Sequence, residues 1–153
     1  MAKKENKNKI VEETIAELLK ILEISGDFQV EEKDDILEVN LETEDSGIVI
    51  GYHGDTLESL QLVLSLCLAK KLGEFKRVSV EVGDYKKNRE EWLRSLAEET
   101  KERVLDEHKE IYLSDLKSWE RRVVHLFLQN DQEVISESIG EGKDRVLVVK
   151  PKN

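Results

Sequence analysis

Gly51 and Gly54, separated by Tyr52 and His53, stand between Ile48-Val-Ile50 and Asp55-Thr-Leu-Glu-Ser-Leu-Gln61. No other junction in the chain constrains its fold so much. Asp55 is placed to cap the backbone N–H groups of the following turn, and Glu58, three residues on, can reach back. An apolar run from Leu57 to Leu68 then carries a helix. Glycines let a backbone approach a ligand closely, and the unpaired N–H groups and dipole of a helix start favour a phosphate. Glycines at this spacing also serve simply as turns, so the surroundings must decide.

Upstream, Ile10, Val11, Ile15, Leu18, Leu19 and Leu22 recur at three- and four-residue steps, which predicts an amphipathic helix over 10–24 that stops at Ser25-Gly26. Residues 1–9 carry four lysines and no apolar periodicity, and read as a disordered basic tail. Phe28–Glu32 and Leu37–Leu41 alternate apolar with polar around Lys33-Asp-Asp35, the pattern of an antiparallel hairpin. A short helical turn is expected over Asp45–Ile50. The helix from Asp55 to Leu72 ends at Gly73 as its C-cap, and Arg77–Val82 supplies a third strand.

This order of elements, and the run Ile-Val-Ile-Gly-Tyr-His-Gly-Asp-Thr-Leu-Glu-Ser-Leu-Gln, resembles a type II KH domain, whose Gly-x-x-Gly turn clamps single-stranded RNA. The resemblance implies RNA contacts at Gly51, Tyr52, His53 and Gly54. A basic residue is common between the glycines of that family, and here the two positions hold Tyr52 and His53.

Gly83-Asp84 marks a boundary. Asp84 can cap a long charged helix from Tyr85 to about His108, with Trp92, Leu93, Leu96, Val104 and Leu105 on its buried side. Its basic residues alternate with glutamates, as on a solvated, ion-paired surface. Ile111–Leu113 reads as a short strand, and Ser118 as the cap of a helix from Trp119 to about Gln129. Arg121 and His125 share one face of that helix, four residues apart, while Val123, Val124, Phe127 and Leu128 are expected on the buried side. Glu133–Ser138 and Arg145–Lys150 read as a hairpin closed by Pro151.

The run Trp-Glu-Arg-Arg-Val-Val-His-Leu-Phe-Leu-Gln, with the closing hairpin, resembles the Arg-x-x-x-His domain, in which the Arg and His are thought to bind single-stranded nucleic acid. Arg121 offers a planar fork of donors and His125 can donate and stack, while Arg122, next to Arg121 in sequence, points elsewhere and is expected to serve the same strand or a carboxylate. A KH unit followed by such a unit is similar to the SpoIIIJ-associated (Jag) family. The expected class is α+β: a tail at 1–9, a type II KH domain at 10–83, and at 84–153 helices packed on a small mixed or antiparallel sheet. The resemblance implies a cytoplasmic RNA-binding regulator, chaperone-like, linked to cell elongation, division, cell shape or cell-wall biogenesis. Single-stranded RNA is the expected ligand, and a second small KH protein or self-association the expected protein partner. Family members commonly carry a further N-terminal domain, for which residues 1–9 leave no space, so a short form or a fragment is expected.

Charge sets the main rival reading. Residues 1–9 carry four lysines and one glutamate, +3; residues 10–83 carry 6 basic and 17 acidic groups, −11; residues 84–153 carry 14 and 16, −2, which together make the net −10. Such a field repels polyanions, although salt confines each charge to about 8–10 Å. A protein-interaction scaffold is therefore the alternative. Cys67 stands alone, which leaves no internal disulfide, and His53, His108 and His125 lack metal-motif spacing. No nucleophile or Walker motif points to an enzyme, a cofactor or a small-molecule substrate. The apolar stretch Leu62–Ala69 is far shorter than the roughly 20 residues of a membrane span, so no insertion is expected.

Overall fold

The alternation of Leu37, Val39 and Leu41 with polar neighbours sets the register of the first sheet, because slipping by one residue would turn all three to solvent. A computed structural model describes residues 1–152, and the chain forms two units, Met1–Tyr85 and a second beginning at Lys86. In the first, strands β1 (Asp27–Lys33) and β2 (Ile36–Glu42) make an antiparallel hairpin, and β3 (Arg77–Val82) joins β2 in parallel, in the order β1-β2-β3. The two-residue turn between the hairpin strands holds Asp34 at φ 53°, a left-handed conformation that Asp tolerates better than most residues.

Helices α1 (Ala2–Ile21) and α3 (Asp55–Leu72) pack together over this sheet, with the short α2 (Ser46–Ile50) against α3. Their core joins Ile15, Val39, Leu41, Val49, Leu64 and Leu68. The helix–strand–strand–helix–Gly-turn–helix–strand order is the one expected for a type II KH fold. Residues 2–9, expected to be a disordered tail, instead continue α1. Lysine is a good helix former, and Lys7 pairs with Glu74 while Lys9 approaches Glu13 one turn on, so the amphipathic segment propagates outward.

The second unit has α4 (Tyr85–Glu107, beginning at the last residue of the first unit), β4 (Ile111–Leu113), α5 (Ser118–Leu128), β5 (Val134–Ile139) and β6 (Val146–Pro151). Its sheet, in the order β4-β6-β5, is antiparallel throughout. Pro151 is the last residue of β6 rather than a stop beyond it, and it pairs with Val134 on the edge strand β5. The core collects Leu93, Ala97, Val104, Val124, Leu128, Leu147 and Val149. Two expected core residues lie outside it: Trp92 is 48% exposed and Phe127 41% exposed. Ala97 and Thr100, small residues that hydropathy does not single out, fill the face of α4 instead. Among the described residues no helix is long and apolar enough to cross a membrane.

Candidate nucleic-acid interface

The glycine turn is built so that any side chain at its first glycine is strained. Gly51 has φ 69°, and a Cβ there would overlap Thr56 Oγ1 and stand 3.0 Å from the Thr56 nitrogen. Tyr52–Gly54 form a 3-10 turn in which His53 is left-handed (φ 49°, ψ 31°), and Gly54, also left-handed, leads directly into α3. Gly54 is buried, with a Cβ position 3.0 Å from Tyr85 Oη, whereas Gly51 and His53 are half-buried. Only Tyr52 projects fully, 75% exposed, with its ring stacked on that of His53 at 4.0 Å between centroids and 21° between planes.

Asp55 is not the N-cap residue of the helix. Gly54 occupies the N-cap position, and Asp55 is the first residue with helical angles. Asp55 and Glu58 therefore place two carboxylates in the first turn of α3, complementing the helix dipole themselves. Farther along α3, Gln61 Oε1 accepts the Val80 N–H at 2.9 Å and Ser65 Oγ accepts the Val78 N–H at 3.1 Å. Two N–H groups of β3 are thereby satisfied by helix side chains.

In the second unit, Arg121 and His125 share the outer side of α5 but are held by different neighbours. Arg121 Nη1 donates to the Leu116 carbonyl at 2.5 Å and Nη2 to Ser118 Oγ at 3.1 Å, which spreads the half-buried fork across the start of the helix. His125 is exposed, with Nδ1 2.9 Å from Oγ of the buried Ser136 on β5. This contact fixes the ring plane while Nε2 remains as the second polar atom. Arg122 is exposed beside them. The expected serine cap is displaced by one residue: Lys117 takes the N-cap position and Ser118 begins the helix.

Two features carry no sequence signature. Glu120 is fully buried, accepts from Arg89 Nε at 2.7 Å with one oxygen and from the Lys117 N–H at 3.0 Å with the other. Its carboxylate sits where a capping box would put one, but the residue three before it is lysine, which hides the pattern. On the first unit, Lys3, Lys4 and Lys7 gather beside Glu32 because residues 2–9 are helical, and Lys7 is paired with Glu74. Among the described residues no cluster of His, Cys, Asp and Glu is arranged to hold a metal ion.

Comparison with known proteins agrees with this division. Residues 8–82 match the model of the KhpA/KhpB KH domain, and residues 91–151 match that of the Arg-x-x-x-His domain. Neither matched model is that of an enzyme. The chain is 34% identical over 131 residues to the RNA-binding protein KhpB of Clostridium symbiosum, covering 86% of this chain and 58% of that relative. To KhpB of Bacillus subtilis it is 32% identical over 148 residues, covering 94% of this chain and 69% of the relative. For KhpB of Lactiplantibacillus plantarum the identity is 30% over 132 residues, 86% of this chain but 41% of the relative. The chain thus spans less than two thirds of the first of these proteins. With both halves matched in the same order, the chain belongs to the KhpB, or Jag, family of a KH domain followed by an Arg-x-x-x-His domain.

Proposed function

We propose that this chain binds single-stranded RNA through two separate grips and performs no catalysis. One is the Gly51–Gly54 turn with Tyr52 and His53; the other is Arg121 and His125, with Arg122 alongside. The observation that supports this most is the pairing of an exposed His125, oriented by Ser136, with an arginine fork one turn away on the same helix. An imidazole and a guanidinium so placed can meet phosphate oxygens and base edges of an extended strand. Each grip is weak alone, and carrying both on one polypeptide raises the effective concentration of the second once the first is engaged.

Lys3 and Lys4, on the helical extension of α1, add a local attraction that opposes the −10 of the whole chain. The family resemblance supports a cytoplasmic regulatory role in cell elongation, division or envelope biogenesis. Replacing Tyr52 and His53 together with Asp should weaken RNA binding by about tenfold or more, with circular dichroism unchanged. Unchanged fluorescence-anisotropy titrations would count against the first grip.

A protein partner is favoured by a different observation. Leu62 and Leu66, one turn apart on α3, are 59% and 56% exposed. A paired apolar face of this kind suits a second small KH protein or a second copy of the chain. Light scattering on RNase-treated protein, alone and with Leu62→Glu plus Leu66→Glu, tests it: the charged variant should lose any association that the parent shows.

A further inference from the structure

The loop that the KH resemblance assigns to phosphate is poorly furnished for it. There is no Lys or Arg between Asp34 and Ala69, while Asp45, Asp55 and Glu58 lie in the same stretch, two of them in the first turn of α3. What the loop does present is an aromatic surface. Tyr52 is three-quarters exposed, and its ring lies on the imidazole of His53, nearly parallel.

That pair is held in place from below. Gly51 is packed against Thr56 and Gly54 against Tyr85, so the main chain on either side of the two rings has little room to shift. His53 sits in the left-handed region, and its ring lies on that of Tyr52. A ring fixed in this way loses little freedom when a third ring stacks on it, and its open face costs no charge to cover. Every nucleobase has a π-face, so such a contact is tolerant of sequence and indifferent to the acidic surroundings.

We propose that the Tyr52–His53 pair is a stacking platform for an unpaired nucleobase, so that this loop grips its nucleic acid by a base rather than by a phosphate. The inference rests on the RNA-binding reading and specifies what the first grip holds. Stacking releases no counterions, so it adds affinity without adding to the salt dependence of binding. The ligand class is a single strand, RNA or DNA, with at least one base free of the stack.

The test uses the full chain and a single-stranded RNA carrying 2-aminopurine, with a DNA strand of the same sequence alongside. The parent protein should quench the 2-aminopurine signal. Tyr52→Leu, which keeps an apolar side chain but removes the π-face, should weaken binding by about tenfold with the salt slope unchanged, and Tyr52→Trp should tighten it. The loss in the leucine variant should be of equal factor for RNA and DNA. Because Tyr52 is exposed, the variants should melt like the parent, which separates a binding effect from unfolding. If neither substitution alters binding while Arg121→Ala with His125→Ala does, the platform is wrong and RNA binding stands. A loss confined to RNA, or one that flattens the salt slope, would also overturn it. A parent protein that binds neither strand would overturn both readings.

Discussion

Arg89 Nε lies 2.7 Å from Glu120 Oε1, and the carboxylate it meets has no exposed surface. The same guanidinium stands 4.2 Å over the Trp92 ring, and the second carboxylate oxygen takes the Lys117 N–H. The first turn of α5, immediately before Arg121, is therefore tied to α4 by a buried ionic contact. Desolvating two charges costs several kcal/mol, which their attraction and hydrogen bonds roughly offset. The pair is an orienting device more than a source of stability.

Removing one partner is consequently worse than removing both. Glu120→Ala should destabilise the second unit by about 3 kcal/mol, since Arg89 is left with a buried, uncompensated charge. Arg89→Met together with Glu120→Leu should recover much of that loss. Urea unfolding followed by tryptophan fluorescence checks both, as Trp92 and Trp119 each lie in this unit.

Glycine substitutions separate conformational need from mere turn-making. Gly51→Ala should cost about 2 kcal/mol, because the residue needs φ near 69° and its new methyl would overlap Thr56. Gly47→Ala, inside α2 with open space around its Cβ position, should be neutral or stabilise by about 0.5 kcal/mol. Thermal melts of the two variants measured side by side give the comparison.

Asp131 supplies a pH-dependent contribution. Lys101 donates to its Oδ2 at 2.7 Å, and the N–H groups of Glu133 and Val134 donate to Oδ1, at 2.8 and 3.1 Å. The Lys101 hydrogen bond, seconded by the two backbone donors, holds this carboxyl below its ordinary value against the opposing effect of burial. A depressed folded value means that the stabilisation is present above the unfolded value of 3.8 and is lost as pH falls through the folded one. Asp131→Asn, which keeps an acceptor for the strand N–H groups, should cost roughly 1 kcal/mol near neutrality and less at about pH 2, as the carboxyl protonates. Unfolding curves at the two pH values measure the difference.

His125 and Ser136 form a positioning contact whose loss should be felt in binding before stability. Ser136→Ala removes the partner of Nδ1 but little volume, so RNA affinity should fall about three- to tenfold while the melting temperature moves by only a few degrees. Anisotropy and calorimetry on the same sample check the two halves of that statement.

The local signals in the sequence translated well into structure. Alternation placed β1, β2 and β3, Gly73 stops α3 in the left-handed conformation expected of a C-cap, and the Gly-x-x-Gly order lies where a KH fold needs it. What local patterns missed was settled by partners distant in sequence. Phe127 and Trp92 are apolar yet half-exposed, since hydropathy does not say which side of a helix finds a neighbour. Glu120 is buried because Arg89, thirty-one residues earlier, reaches it. The lysines of α1 gather beside Glu32 only because the helix continues through them. At the candidate interface, Gly51, Tyr52, His53, Gly54, Arg121, Arg122 and His125 stand in motifs that the sequence alone displays. Their tethers, Thr56, Tyr85, Leu116, Ser118 and Ser136, do not.

The measurement that bears most directly on two-grip RNA binding is the salt dependence of affinity for a single-stranded RNA, taken for the parent chain and for Arg121→Ala with His125→Ala. The parent should bind saturably at moderate salt, with log K falling against log salt by about 0.7 for each phosphate contact, and the double variant should bind more weakly with a shallower slope. Absence of binding at low salt, or identical curves for the two proteins, would contradict it.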